Sequence, residues 1–146
     1  MTVATENERN TTIPRVTFKR ITPVLFAADV EPCLHFWESL GFSRAMEVPD
    51  GNTLAFAAVH NGSLEVMYQS FASAEKDPAA SAATKSALRS HAFLYIEVDN
   101  LDEILAAMKH APLEVEPHMT FYGAREVGFR DPAGHFITFA EFAKQQ

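Results

Sequence analysis

Two periods alternate along the chain. From Thr17 the segment TFKRITPVLFAADV predicts a strand over residues 20–28, which leads through Asp29 into EPCLHFWESLG. There the spacing becomes helical: Leu34, Trp37 and Leu40, with Cys33 and Phe36 beside them, form one apolar stripe. Asp29 supplies an N-cap, Pro32 sits in the tolerated first turn, and Gly41 is placed to end the helix. Three strand-like runs follow, FSRAMEV, TLAFAAVH and SLEVMYQ, the last two joined at the hairpin dipeptide Asn61-Gly62. The second half repeats this order. HAFLYIEVDN reads as a strand, Asn100 and Glu103 have capping-box spacing, and Leu101, Ile104, Leu105 and Met108 mark a helix. PLEVEPH, AREVGFR and HFITFAE then supply three more strands, and Asp29 and Asp99 take the same place in the two halves.

The expected fold class is therefore α+β, with two βαβββ modules at 20–70 and 91–142. One such unit cannot close a barrel, but two placed edge to edge can curl into a cupped mixed sheet with helices on the convex side. Residues 1–19 are polar and turn-rich and read as an arm, which a dimer could exchange. Residues 71–90, rich in Ala and Ser, read as a linker with room for a short surface helix, and 143–146 as a tail.

Composition narrows the partners. With 146 residues, 47% of them hydrophobic and 21% charged, the chain can bury one sizeable core. A formal net charge of -7 argues against nucleic acid or an anionic membrane as the partner and favours a cationic or neutral ligand. Cys33 is the single cysteine, so neither a disulfide within the chain nor a CxxC site can form. No stretch approaches about 18 uninterrupted apolar residues, and the N-terminus lacks the apolar core of a signal peptide, so the expected location is the cytoplasm. Cys33 lies on the apolar side of its helix, where a lone Cys is a packing residue rather than a nucleophile. No GxSxG, P-loop, GxGxxG or HExxH pattern is present.

The duplicated βαβββ pattern resembles the vicinal-oxygen-chelate superfamily of glyoxalases, extradiol dioxygenases, fosfomycin-resistance enzymes and bleomycin-resistance proteins. TPVLFAADVEPCLHFWESLGFSR and YGAREVGFRDPAGHFITFAE are most similar to the bleomycin-resistance branch, and the likeness runs from Ile21 to Phe142. Metalloenzymes of the superfamily hold a divalent cation with up to four His or Glu side chains, taken from the first and last strand of each module. Laid on this chain, the resemblance puts Pro23, Glu65, Phe93 and Thr138 at those positions. Only Glu65 could ligate, and an open catalytic site normally needs about three protein ligands. The resemblance thus implies a metal-free site and no cofactor, with Glu65 and His91 as the fallback metal pair. The other histidines, His35, His60, His110, His118 and His135, show no paired ligand spacing.

Strand parity then gives the lining. With Glu65 facing the concavity, so do Met67 and Gln69; with Phe93 go His91 and Tyr95; with Thr138 go Phe136 and Ala140. Phe26 or Leu25, Phe121 and Tyr122 complete a wall of rings with a few polar handles, suited to a flat or cationic organic molecule. Arg125 and Glu126 are expected to pair with each other or with Asp131 and Arg130 across the turn. The function implied is sequestration of a drug-like molecule by a homodimer of the bleomycin-resistance type. The alternatives are a metal-dependent lyase or dioxygenase using Glu65 and His91, and a regulatory or interaction protein with a vestigial pocket.

Overall fold

The computed structural model describes residues 12–144. Eight strands and four helices follow in the order expected. The first module holds β1 (Val24–Ala27), α1 (Val30–Glu38), β2 (Ser43–Asp50), β3 (Thr53–Asn61) and β4 (Leu64–Ser70). Two short helices, α2 (Phe71–Glu75) and α3 (Ala82–Ala87), occupy the linker. The second module holds β5 (Phe93–Glu97), α4 (Leu101–Ala107), β6 (Leu113–Met119), β7 (Ala124–Arg130) and β8 (Phe136–Phe142). Residues 12–23 carry no regular element, so the first strand is shorter than the expected 20–28. The part of the arm before residue 12 lies outside the described residues.

Each module forms its own four-stranded mixed sheet, in the orders β1-β4-β3-β2 and β5-β8-β7-β6. In both, the first strand runs parallel to the last, and the rest of the sheet is antiparallel. The helices α1 and α4 carry the chain from the first strand at one edge of each sheet to the second strand at the other edge. Asp29 caps α1 by accepting from the Glu31 N–H at 3.3 Å, and Asn100 caps α4 by accepting from the Glu103 N–H at 3.2 Å. The equivalent caps are thus Asp29 and Asn100, not Asp29 and Asp99. At Gly41 and Gly134 the backbone takes φ values of 91° and 90°, which glycine reaches without a Cβ clash.

The helix-facing side of both sheets makes one core. Leu25 and Ala27 of β1, Val66 and Tyr68 of β4, Val127 and Phe129 of β7, and Ile137 and Phe139 of β8 meet Leu34 and Trp37 of α1 and Leu101 of α4. Full burial of each such aliphatic or phenyl side chain is worth about 1.5–3 kcal/mol. Cys33 is wholly buried here; desolvation, helped by the charges of Asp131 and Asp29, pushes its thiol up to about 12.

Polar stitches join the modules through that core. The Trp37 indole N–H donates to the Tyr68 hydroxyl at 2.8 Å, and Tyr68 donates to Asp131 Oδ2 at 2.5 Å. Asp131 Oδ1 accepts from the N–H groups of Ala133 at 3.0 Å and His135 at 2.8 Å, which sets the DPAG turn. His135 Nδ1 accepts from the Ala92 N–H at 2.9 Å, so Nε2 carries the proton it gives to the Phe26 carbonyl at 2.8 Å. His135 thus ties the start of the second module's sheet to β1 of the first.

Candidate functional site

Alternation along the strands turns a second side outward. In β4, Glu65, Met67 and Gln69 are half-buried while Val66, Tyr68 and Ser70 are buried. In β5, Phe93 and Tyr95 are 76% and 53% exposed. Pairing places Phe93 beside Phe136 and Tyr95 beside Thr138 on β8, and Thr138 and Ala140 beside Gly128 and Glu126 on β7. The expected lining residues Glu65, Met67, Phe93, Tyr95, Phe136 and Thr138 therefore share the open side of the two sheets. Leu25 does not, being 1% exposed in the core; Phe26 is the β1 residue left outside.

At one end, the Phe93 and Phe136 rings stack with centroids 4.6 Å apart. Arg130 sits over Phe136 at 4.4 Å, and His91 meets its edge at 5.9 Å. His91 also packs against His135 and lies against Gly134. Glu65 belongs to a different neighbourhood. It accepts from the Thr22 hydroxyl at 2.9 Å, stands 3.5 Å from Arg20, and shares with Tyr95, Pro23 and Ile21 a cavity of about 200 Å³. The fallback metal pair Glu65 and His91 is not brought together by any of these contacts.

The register also bears on the superfamily positions. β1 pairs with β4 so that Val24 faces Met67, which sets Thr22, not Pro23, beside Glu65. Thr22 precedes its N-cap Asp29 by the same seven residues that separate Phe93 from Asn100. Across β5 and β8 the residue facing Phe93 is Phe136, and Thr138 faces Tyr95 on the same side of the sheet. With Thr22 at the first position and either Phe136 or Thr138 at the fourth, the donors are one carboxylate and at most two hydroxyls. That set does not suit a divalent metal, which needs about three imidazole, thiolate or carboxylate ligands from the protein. Among the described residues, no cluster of three or more His, Cys, Asp or Glu is placed to hold a metal ion.

The other end holds a group the sequence reading assigned elsewhere. Glu126, 7% exposed, accepts hydrogen bonds from both the Tyr95 and Tyr122 hydroxyls on its Oε2. Burial pushes its carboxyl upward, but the Tyr122 and Tyr95 hydrogen bonds together prevail and hold it below the usual carboxylate range. Tyr95 moves the other way: its bond to Glu126, with partial desolvation, pushes the phenol well above its ordinary value. The expected ion pairs across the turn do not form. Arg125 pairs with Asp102 at 2.8 Å, Arg130 with Glu114 at 3.2 Å, and Asp131 serves Tyr68 and the turn. Phe121 is fully exposed, and Tyr122 meets it edge-on at 5.1 Å.

Two βαβββ modules sharing one core, with an open side opposite it, define the class of paired-module folds to which the molecule is built. The chain belongs to the Glyoxalase/Bleomycin resistance protein/Dioxygenase superfamily, whose family model matches residues 15–139. Several solved structures share the fold at low identity. A lactoylglutathione lyase from Agrobacterium tumefaciens is 17% identical, with 89% of this chain and 96% of that one covered at a TM-score of 0.68. TnmS3, an antibiotic binding protein from Streptomyces sp. CB03234, is 15% identical over 88% and 100% of the two chains, with a TM-score of 0.63. A bleomycin-binding protein complexed with bleomycin is 18% identical over 86% and 100%, with a TM-score of 0.59. No curated protein matches the chain.

Proposed function

We propose that the protein is a non-enzymatic binder of a flat, cationic organic molecule, held on the open side of the sheets without a metal. The observation that carries this reading is the pairing of exposed rings with carboxylates on that side, above all Phe93, which stacks on Phe136 at a position where a superfamily metalloenzyme would need a ligand. Aromatic faces hold a cation or a conjugated plane for about 0.5–2 kcal/mol per contact, and a net charge of -7 attracts a cation from a distance. Antibiotic-binding and bleomycin-binding neighbours support the same class of ligand. The ligand site is completed in a homodimer, since the cavity at Glu65 and Tyr95, about 200 Å³, is smaller than the roughly 300–1,000 Å³ of a drug-sized site.

Calorimetric titration with bleomycin-type glycopeptides and with flat polycyclic cations tests this. Saturable binding is expected, weakened about tenfold or more by Phe93→Ala, with no gain from added Zn²⁺, Mn²⁺ or Fe²⁺. If no such compound binds below high micromolar concentration, or if the protein purifies with a stoichiometric metal on which binding or turnover depends, the reading fails.

A further inference from the structure

We propose that Glu126 is the receptor for a protonated, N-alkylated amine, making the end of the open side around Tyr95 and Tyr122 a distinct cation subsite; the proposal rests on the ligand-binding reading above and names the chemistry that side recognises. Three observations carry it. First, both phenol donors converge on one oxygen, Oε2, while Oε1 accepts no hydrogen bond among the described residues. No side-chain nitrogen or oxygen among them is fully buried without a partner, so Oε1 keeps access from the open side.

Second, no Lys or Arg among the described residues pairs with the carboxylate. The nearest basic atom is His118 Nε2 at 3.9 Å. His118 Nδ1 is engaged by the Glu116 carbonyl at 2.8 Å, and 3.9 Å is too long for a hydrogen bond from Nε2 to Oε1. Glu65 differs in this respect, since it already has Thr22 and Arg20. A carboxylate with little exposure and no Lys or Arg partner gains much from a cation that arrives with a ligand.

Third, the surroundings are rings. Tyr95 and Tyr122 flank the carboxylate, Phe121 packs edge-on to Tyr122, and Phe142 lies 6.3 Å from Tyr122. Aromatic faces attract the methyl and methylene groups that carry the charge of an alkylated ammonium, and they desolvate it more cheaply than they would a bare –NH₃⁺. The free lone pairs on Oε1 call in addition for an N–H. A tertiary or secondary ammonium answers both demands, whereas a quaternary one answers only the first.

N,N-dimethylbenzylamine, protonated at neutral pH, is the probe, compared with benzyltrimethylammonium and neutral benzyl alcohol by chemical-shift titration of the full chain. The amine is expected to bind at least threefold tighter than the quaternary ion and at least tenfold tighter than the alcohol, with shifts at Tyr95, Tyr122 and Glu126. Glu126→Gln, which keeps an acceptor for both tyrosines, should weaken the amine tenfold or more. The exposed-charge control Glu75→Gln should leave it unchanged. Equal affinity for amine and alcohol, or an unchanged amine affinity in Glu126→Gln, overturns the subsite. If bleomycin-type drugs still bind in that case, the broader ligand-binding reading stands; if neither drugs nor amine bind, both fall.

Discussion

Glu126 and its two tyrosines illustrate how one side chain can be shaped by opposing terms. Partial burial resists ionisation of the carboxyl, and two phenol donors outweigh it. Because the folded-state value lies below the ordinary one of about 4.3, the stabilisation is fully present above that ordinary value. It is lost as pH falls through the lower folded-state value. Glu126→Gln should therefore cost of order 1 kcal/mol near neutrality, since a charged acceptor is replaced by a neutral one. The gap between wild type and variant should close below about pH 4. Urea denaturation across a pH series checks this, and the lowered carboxyls of Glu31 and Glu38 cancel because both proteins carry them. A gap that does not narrow anywhere as pH falls below the ordinary carboxylate value would mean that the glutamate acts by shape alone. This residue was hard to read in the sequence for a physical reason. Its neighbours in AREVGFRDPAG are charged, and its true partners, Tyr95 and Tyr122, come from a different strand and a turn. Parity along β7 does set Glu126, Gly128 and Arg130 on one side, and that was the available signal.

At the scale of elements, the DPAG turn between β7 and β8 does more than reverse the chain. Through Asp131 and His135 it ties the second module to Tyr68 of β4, Trp37 of α1 and the end of β1. Tyr68→Phe removes one hydroxyl and leaves two buried groups, the Trp37 N–H and Asp131 Oδ2, without that partner. The expected loss is about 2–4 kcal/mol, measured by chemical denaturation, together with a change in Trp37 emission. A loss under about 0.5 kcal/mol would show that the relay does not bind the modules together. The elements themselves were legible, because strand alternation, the caps at Asp29 and Asn100 and the turn glycines are all local signals. Register was less so. Equating Asp29 with Asp99 rather than Asn100 shifted the first module by one residue, and a one-residue slip moves a side chain to the opposite side of the sheet. Pro23 was thereby placed where Thr22 stands. Metal-ligand arguments from sequence are sensitive to that slip, although here the corrected set remains as poor in ligands as the original.

At the scale of the molecule, the described chain leaves too much apolar surface in water. Ile13, Phe18 and Ile21 of the N-terminal segment are 85%, 88% and 94% exposed, and Phe93 and Phe121 on the open side are 76% and 100% exposed. Three large apolar side chains almost fully exposed within nine residues of a segment that carries no regular element gain from being covered by another surface. The arm could be marked out by composition, but where its side chains go is decided by another surface, and no periodicity within one chain encodes that. A homodimer in which residues 12–23 of each copy lie on the other accounts for the exposure, and it would enlarge the cavity at Glu65 and Tyr95. Light scattering should give twice the chain mass at low micromolar concentration. Removing residues 1–19 should shift the dissociation constant upward by at least tenfold while the circular dichroism of the sheets is kept. Burying two phenylalanine- or isoleucine-sized side chains per copy is worth several kcal/mol, so a smaller shift would mean that the arm does not cross. A monomer at all accessible concentrations would also require the ligand to bind on one open side alone, and affinities for drug-sized molecules should then be no tighter than high micromolar.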